Sequence, residues 1–250
     1  MPVDLLDVDA LIGRHPERDV GRGDVADRLA EMDRVGIGTS VVSHTASWLH
    51  DPATGNRRLL DAVSGNPRLL PCWVMLPDTC GEIEGADEFV RAADSYGVVA
   101  VRAYPHDHGY DLAGPDAAPL LDALAEARMP LLVDAAQADS RTVEAIAAAR
   151  PSLPVVVCKP GYRTLRRLAG MLSRRPNVLL DTANLSTHRG LEWLSKRFGP
   201  GRLLFGTGTP EHDPGETVTR LLLSELGDAD VAAIGRTNAL GLLDARVTPR

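Results

Sequence analysis

Cysteine is scarce in this sequence and poorly placed for acting in concert. Cys72, Cys80 and Cys158 are the whole set, and no pair has C-x-x-C spacing. An odd count makes a poor disulfide framework, so a reduced, cytoplasmic protein is expected. Long hydrophobic runs are missing too: nothing approaches the roughly 18 apolar residues of a membrane span. The opening MPVDLLDVD is acidic and lacks the basic and apolar regions of a secretory leader, so export by the usual route is not expected. Excess positive charge is absent. The formal net charge is -7, which argues against a nucleic-acid surface built from clustered Lys and Arg. Arg163, Arg166, Arg167, Arg174 and Arg175 do gather, but on a helix and its end, where a solvated face is expected. The phosphate-binding turn of a dinucleotide fold is also wanting, because GRHPERDVGRG after the first apolar run lacks the G-x-G-x-x-G order.

What is present is ordinary globular usage, 44% hydrophobic and 24% charged over 250 residues, enough to bury a sizeable core. Short apolar runs alternate with longer amphipathic segments from end to end. The runs cover residues 5–11, 39–44, 69–75, 98–104, 130–135, 154–159, 177–183 and 202–208. Between them lie helical stretches such as DVADRLAEMDRVG, EFVRAADSYG, AAPLLDALAEARM and SRTVEAIAAARP, several closing on Gly or Pro where the next strand must begin. Eight such units point to an α/β fold, a (β/α)8 TIM barrel. A single domain over 1–250 is expected, finished by C-terminal helices in GETVTRLLLSELG and DADVAAIGRTNALGLL. An open doubly wound sheet is the competitor, weakened by the missing glycine turn.

Barrel enzymes assemble their sites at the C-terminal ends of the strands. Here that rim reads Asp9, His44, Trp73, Arg102 with Tyr104, Asp134, Lys159, Asp181 and Thr207. The charges in it must be paired, hydrated or bound to a ligand, because an isolated buried charge is very costly.

In order and spacing, LLDVDALIG, LAEMDRVGI, GNRRLLDAV, NPRLLPCWVMLP, NVLLDTANLS, RLLFGTGTP and RTNALGLL resemble the amidohydrolase superfamily, in its amidohydrolase-related branch of decarboxylases and lactone or amide hydrolases. The resemblance spans nearly the whole chain. It implies a metal site of His-x-His after strand one, a His after strand five, a His after strand six and an Asp after strand eight. Those positions hold Asp9 and Leu11, Asp134, Lys159 and Gly208. An ammonium has no lone pair to offer and glycine has no side chain, so a member without its metal centre is expected, with no cofactor. Lys159 would then neutralise Asp9 and Asp134, with Arg102 and Asp181 as a second pair.

Other residues leave alternatives open. His106 and His108 in PHDHGY have ligand-type spacing, and could form a relocated metal site, a substrate-covering loop or a plain connection. His44 could contact ligand or be structural; His15, His188 and His212 could overhang the rim. Cys158, one residue before Lys159, should point to the opposite face and pack against a helix. Three functions follow: a silent family member that binds a small carboxylate or supports a partner, such as a second copy or an active paralogue; a metal-independent hydrolase or lyase; or a relocated metalloenzyme. In the second, Lys159, Asp134 and Asp9 would act on a substrate held by Arg102, His44, Tyr104, Asp181, His106 and His108.

Overall fold

In the computed structural model, described for residues 4–16 and 23–247, the eight expected runs form eight parallel strands in sequential order. The first three residues, part of the acidic opening, and residues 17–22 of GRHPERDVGRG lie outside the described residues. The chain runs β1 (Leu5–Ile12), α1 (Val25–Val35), β2 (Ile37–His44), α2 (Thr45–Leu49), α3 (Pro52–Val63), β3 (Leu69–Val74), α4 (Ala86–Ser95), β4 (Ala100–Ala103), α5 (Ala118–Glu126) and β5 (Leu131–Asp134). It continues through α6 (Ser140–Ala149), β6 (Val155–Cys158), α7 (Leu165–Arg174), β7 (Val178–Asp181), α8 (Gly190–Phe198), β8 (Leu203–Leu204) and α9 (Pro214–Leu222). The end is α10 (Asp228–Ala232), a π-helical turn (Ala233–Thr237) and α11 (Asn238–Val247). Every adjacent pair from β1–β2 to β7–β8 is parallel. The chain after β8 closes the barrel, with Val8 N–H donating to Phe205 O at 2.9 Å and Gly208 N–H to Asp9 O at 2.8 Å. This is a TIM barrel.

Local chemistry sets the helix starts. Asp24, Asp51, Asp139 and Asp213 each accept a backbone N–H in the first turn of α1, α3, α6 and α9, and Pro52 and Pro214 sit where no helical N–H is needed. Gly36 ends α1 in the left-handed conformation that glycine adopts without a Cβ penalty. Two apolar layers result. The outer one packs strands on helices; the inner one holds Leu6, Val8, Leu132, Val156 and Leu204 inside the barrel, where Ala239 and Leu243 of α11 join them. Asn238 donates to Leu203 O at 2.8 Å, so α11 covers the end opposite the strand C-termini.

Candidate functional site

Two departures from regular strand geometry build the barrel mouth. Along β1, Asp7 pairs with Ser40 but Ala10 pairs with Val42, so β1 carries one extra residue across this interval. In such a bulge consecutive side chains take the same side. Val8 joins the inner layer and Asp9 follows it inward, whereas Asp7 turns out against α1. At the end of β6, Cys158 lies in the inner layer, and Lys159 leaves the strand at φ 49°. That left-handed turn is uncommon for a residue with a Cβ; Lys159 N–H donates to Asp181 Oδ1 at 2.9 Å there. Both Cys158 and Lys159 therefore face the lumen. The expectation that Cys158 packs against a helix is incorrect, because strand alternation stops one residue too early to apply to the pair.

The inward residues form one ion-pair cluster. Arg102 bridges two carboxylates, with Nη2 2.6 Å from Asp9 Oδ1 and Nη1 2.8 Å from Asp134 Oδ1. Lys159 Nζ is 2.8 Å from Asp134 Oδ2, 3.8 Å from Asp9 Oδ2 and 3.0 Å from Glu211 Oε2. Arg102 thus takes Asp9 and Asp134, and the expected Arg102–Asp181 pair gives way to this arrangement. Side-chain exposure is 1% for Arg102 and Asp9, about a tenth for Asp134 and Lys159, and 18% for Glu211.

Burial and charge decide the protonation states. Burial alone would raise the Asp9 carboxyl, but Arg102 and then Lys159 outweigh it and draw its pKa down to about 2. Burial would lower the Lys159 ammonium and the Arg102 guanidinium, but Asp9 and Asp134 hold both well above their usual ranges. Asp181 goes the other way: burial first, and the Asp9 charge second, push its carboxyl well up. Of the two carboxyls it is the one that burial drives toward the neutral form. Arg102 and Lys159 are thus set against Asp9 and Asp134, with Glu211 as a further carboxylate at the solvent side.

Among the described residues, Asp9, Cys158 and Asp181 are the one group of His, Cys, Asp and Glu whose ligand atoms converge, all within 4.8 Å of one another. They suit a divalent ion poorly. All three are buried, and a guanidinium lies against two of them. Arg102 Nη2 stands 3.8 Å from Cys158 Sγ and bonds Asp9, so an ion there would have to compete with this cation.

The glycine at the fifth family position has a steric reason. A Cβ on Gly208 would lie 3.1 Å from Lys159 Cε and 2.9 Å from His212 Cδ2, and φ there is +68°. Glycine at 208 thus leaves room for the lysine stem at 159. Gly206 similarly admits Asp181, whose Oδ2 would sit 2.7 Å from a Cβ.

The remaining candidates divide. Tyr104 is fully buried beside the cluster, stacked on Trp48 at 5.1 Å with Arg102 5.8 Å from its ring centroid; burial pushes its phenol up. His108 bonds Trp48 O at 2.8 Å, and Trp48 donates to Asp107 at 2.6 Å, so the 105–110 loop is pinned beside the mouth. His106 is exposed, and neither it nor His108 enters a ligand group; a relocated metal site there finds no third donor among the described residues. His44 caps α2 by accepting Ala46 N–H at 3.0 Å, and burial lowers its pKa, as that acceptor role requires. Trp73 faces outward, 5.4 Å from the Phe89 ring, rather than into the mouth. Thr207 donates to Asp7 at 2.7 Å. His15 packs edge-on to Trp48, His188 is exposed, and His212 stands beside Gly208.

Two participants were not anticipated. Glu211 reaches Lys159 from the loop after β8, inside the TPEHD stretch where His212 drew attention. Asp7 forms a fully buried pair with Arg28 of α1, supported by Thr207 N–H at 2.9 Å. The D-x-D of the opening strand was the available signal, but which aspartate points inward depends on the bulge.

Comparison with known proteins agrees with this architecture. A family model described as amidohydrolase matches residues 6–245. Curated proteins offer no match. Among solved structures, a TIM-barrel protein of uncharacterised function from Bordetella bronchiseptica superposes with a TM-score of 0.79 at 16% identity, covering 98% of this chain and 99% of that one. A 5-carboxyvanillate decarboxylase from Novosphingobium aromaticivorans, complexed with manganese and 4-hydroxy-3-methoxy-5-nitrobenzoic acid, gives 0.75 at 16% identity over 96% of both chains. A putative 2-pyrone-4,6-dicarboxylic acid hydrolase from Pseudomonas putida gives 0.73 at 19% identity over 98% of both. At such identities the likeness establishes fold alone, while the family match over nearly the full length establishes descent: the chain belongs to the amidohydrolase family.

Proposed function

We propose that this chain is an amidohydrolase-family barrel that works without the metal centre and binds a small carboxylate at Lys159 without metal-dependent turnover. One observation carries the reading: Lys159, at a family ligand position, lies 2.8 Å from Asp134, while Arg102 joins Asp134 to Asp9. Two cations thereby occupy the space around the ligand positions, so the ion pairs take over the electrostatic task of a metal. The amine stays protonated between carboxylates, which favours an electrostatic role over Schiff-base attack.

The ligand class follows from the most exposed partner in the cluster. Glu211 is the carboxylate on Lys159 nearest to solvent, and an incoming carboxylate of similar geometry would replace it. The relative from Novosphingobium aromaticivorans, crystallised with a substituted benzoic acid, supports aromatic carboxylates as the first class to test.

Metal analysis of protein purified from manganese- and zinc-supplemented medium, with a thermal-shift screen of hydroxybenzoates, lactones and amides, tests both parts. Expected are substoichiometric metal, stabilisation by carboxylates, and tighter carboxylate binding by Glu211→Gln, which removes the internal competitor. Stoichiometric metal with metal-dependent hydrolysis or decarboxylation would overturn the reading.

A further inference from the structure

The outer wall of the barrel holds a cavity unrelated to the mouth. Its volume is about 570 Å3, within the span typical of small-molecule pockets. It lies over the outward face of β3, between α3 and α4. Trp73 forms part of its lining, with ring centroids 5.4 Å from Phe89 and 5.9 Å from Tyr96. Two features of these rings are unusual. Trp73 is 7% exposed, yet its indole N–H has no acceptor among the described residues; a buried donor left unpaired is costly unless something supplies an oxygen. Tyr96 is 61% exposed although it packs on Trp73, and it too lines the cavity.

Charge narrows the occupant. Asp61, Glu84 and Glu88 line the cavity with Arg57 as the cation among the lining residues. No ion pair engages those three carboxylates among the described residues. Unpaired carboxylates around aromatic rings repel an anion, while an ammonium gains from the carboxylates and from the ring quadrupoles together.

We propose that this cavity binds a small organic cation: an ammonium on an apolar or aromatic body, carrying a hydrogen-bond acceptor for the Trp73 indole N–H. The barrel mouth and the wall would then take ligands of opposite charge, and neither reading depends on the other.

Calorimetry and tryptophan fluorescence on the full chain test it with three probes. L-phenylalaninamide has ammonium, ring and carbonyl; phenethylamine lacks the acceptor; 3-phenylpropionate is the anionic control. Saturable binding is expected for phenylalaninamide, about tenfold weaker binding for phenethylamine in line with one lost hydrogen bond, and none for phenylpropionate. Tyr96→Ala and the double variant Glu84→Gln/Glu88→Gln alter exposed side chains and keep the fold; each should weaken phenylalaninamide roughly fivefold or more. Trp73→Phe retains a ring and should erase the preference for phenylalaninamide over phenethylamine. The proposal falls if no probe saturates, if the anion binds equally well, or if Tyr96→Ala and the Glu variants bind as the parent does, which would place the amine elsewhere.

Discussion

Lys159 holds its unusual backbone conformation because three carboxylates and the Asp181 acceptor reward it there. Removing the ammonium by Lys159→Met would leave Asp9 and Asp134 sharing Arg102 alone, and breaking a buried pair typically costs about 3–5 kcal/mol. The sign with pH follows from the shifts. Lys159 is raised, so its contribution is present below the ordinary lysine range and lost only as pH rises through its folded value. Asp9 is depressed to about 2, so its contribution is present above the ordinary aspartate range and fades as pH falls towards 2. Melting at pH 7 should show the full penalty in Lys159→Met and a smaller one as pH falls towards 2, where Asp9 loses its charge; equal melting temperatures for parent and variant at both would refute the ion-pair account.

Asp181 has the opposite sign. Its raised pKa means that its favourable contribution is complete only below the ordinary aspartate range and declines as pH rises. Asp181→Asn keeps an acceptor for Lys159 N–H and a donor for Asp9 while removing the need to hold a proton. Denaturant titrations should find it more stable than the parent at pH 7, by up to about 1.4 kcal/mol for each pKa unit of relieved shift, with the gain vanishing near pH 4. A loss of stability at pH 7 would show that Asp181 is ionised in the folded protein.

At the scale of elements, the loop after β8 is shaped by what it must avoid. Gly208→Ala would force a Cβ against Lys159 and His212 at a positive φ, costing about 1–3 kcal/mol. Urea unfolding checks this, and an unaltered midpoint would mean that the loop moves freely. The opening strand shows how much of the site could be read before folding. Strand number follows from apolar periodicity, which leaves an open doubly wound sheet as competitor to the barrel, and the pairing of Lys159 with Asp9 and Asp134 follows from charges at positions that the resemblance brings together. Cys158 and Trp73 were not legible in the same way. Period-two alternation assumes an uninterrupted strand, whereas Lys159 turns left-handed and Trp73 belongs to the outward register of β3.

For the molecule as a whole, metal chemistry would have to displace several interactions at once. A chain carrying Asp9→His, Leu11→His, Asp134→His, Lys159→His and Gly208→Asp would carry the ligand set that the resemblance implies but still hold Arg102 inside the cluster. Zinc titration of this variant should give weak, substoichiometric binding, improving when Arg102→Leu is added. Full occupancy with Arg102 retained would show that the guanidinium is no obstacle.

The sequence by itself determined the eight βα units and the Gly and Pro that close several of their helices, because each is a property of residue type and short-range spacing. Only the tertiary structure decided which aspartate of D-x-D enters the lumen, that Arg102 joins Asp9 to Asp134, that Glu211 completes the cluster and that glycine at 208 makes room for lysine at 159. Those outcomes depend on a one-residue bulge and a single left-handed turn, and on contacts between strands up to about two hundred residues apart, such as Thr207 to Asp7. Local pattern carries no information about either irregularity, since both are stabilised by partners that adjoin only once the barrel has closed.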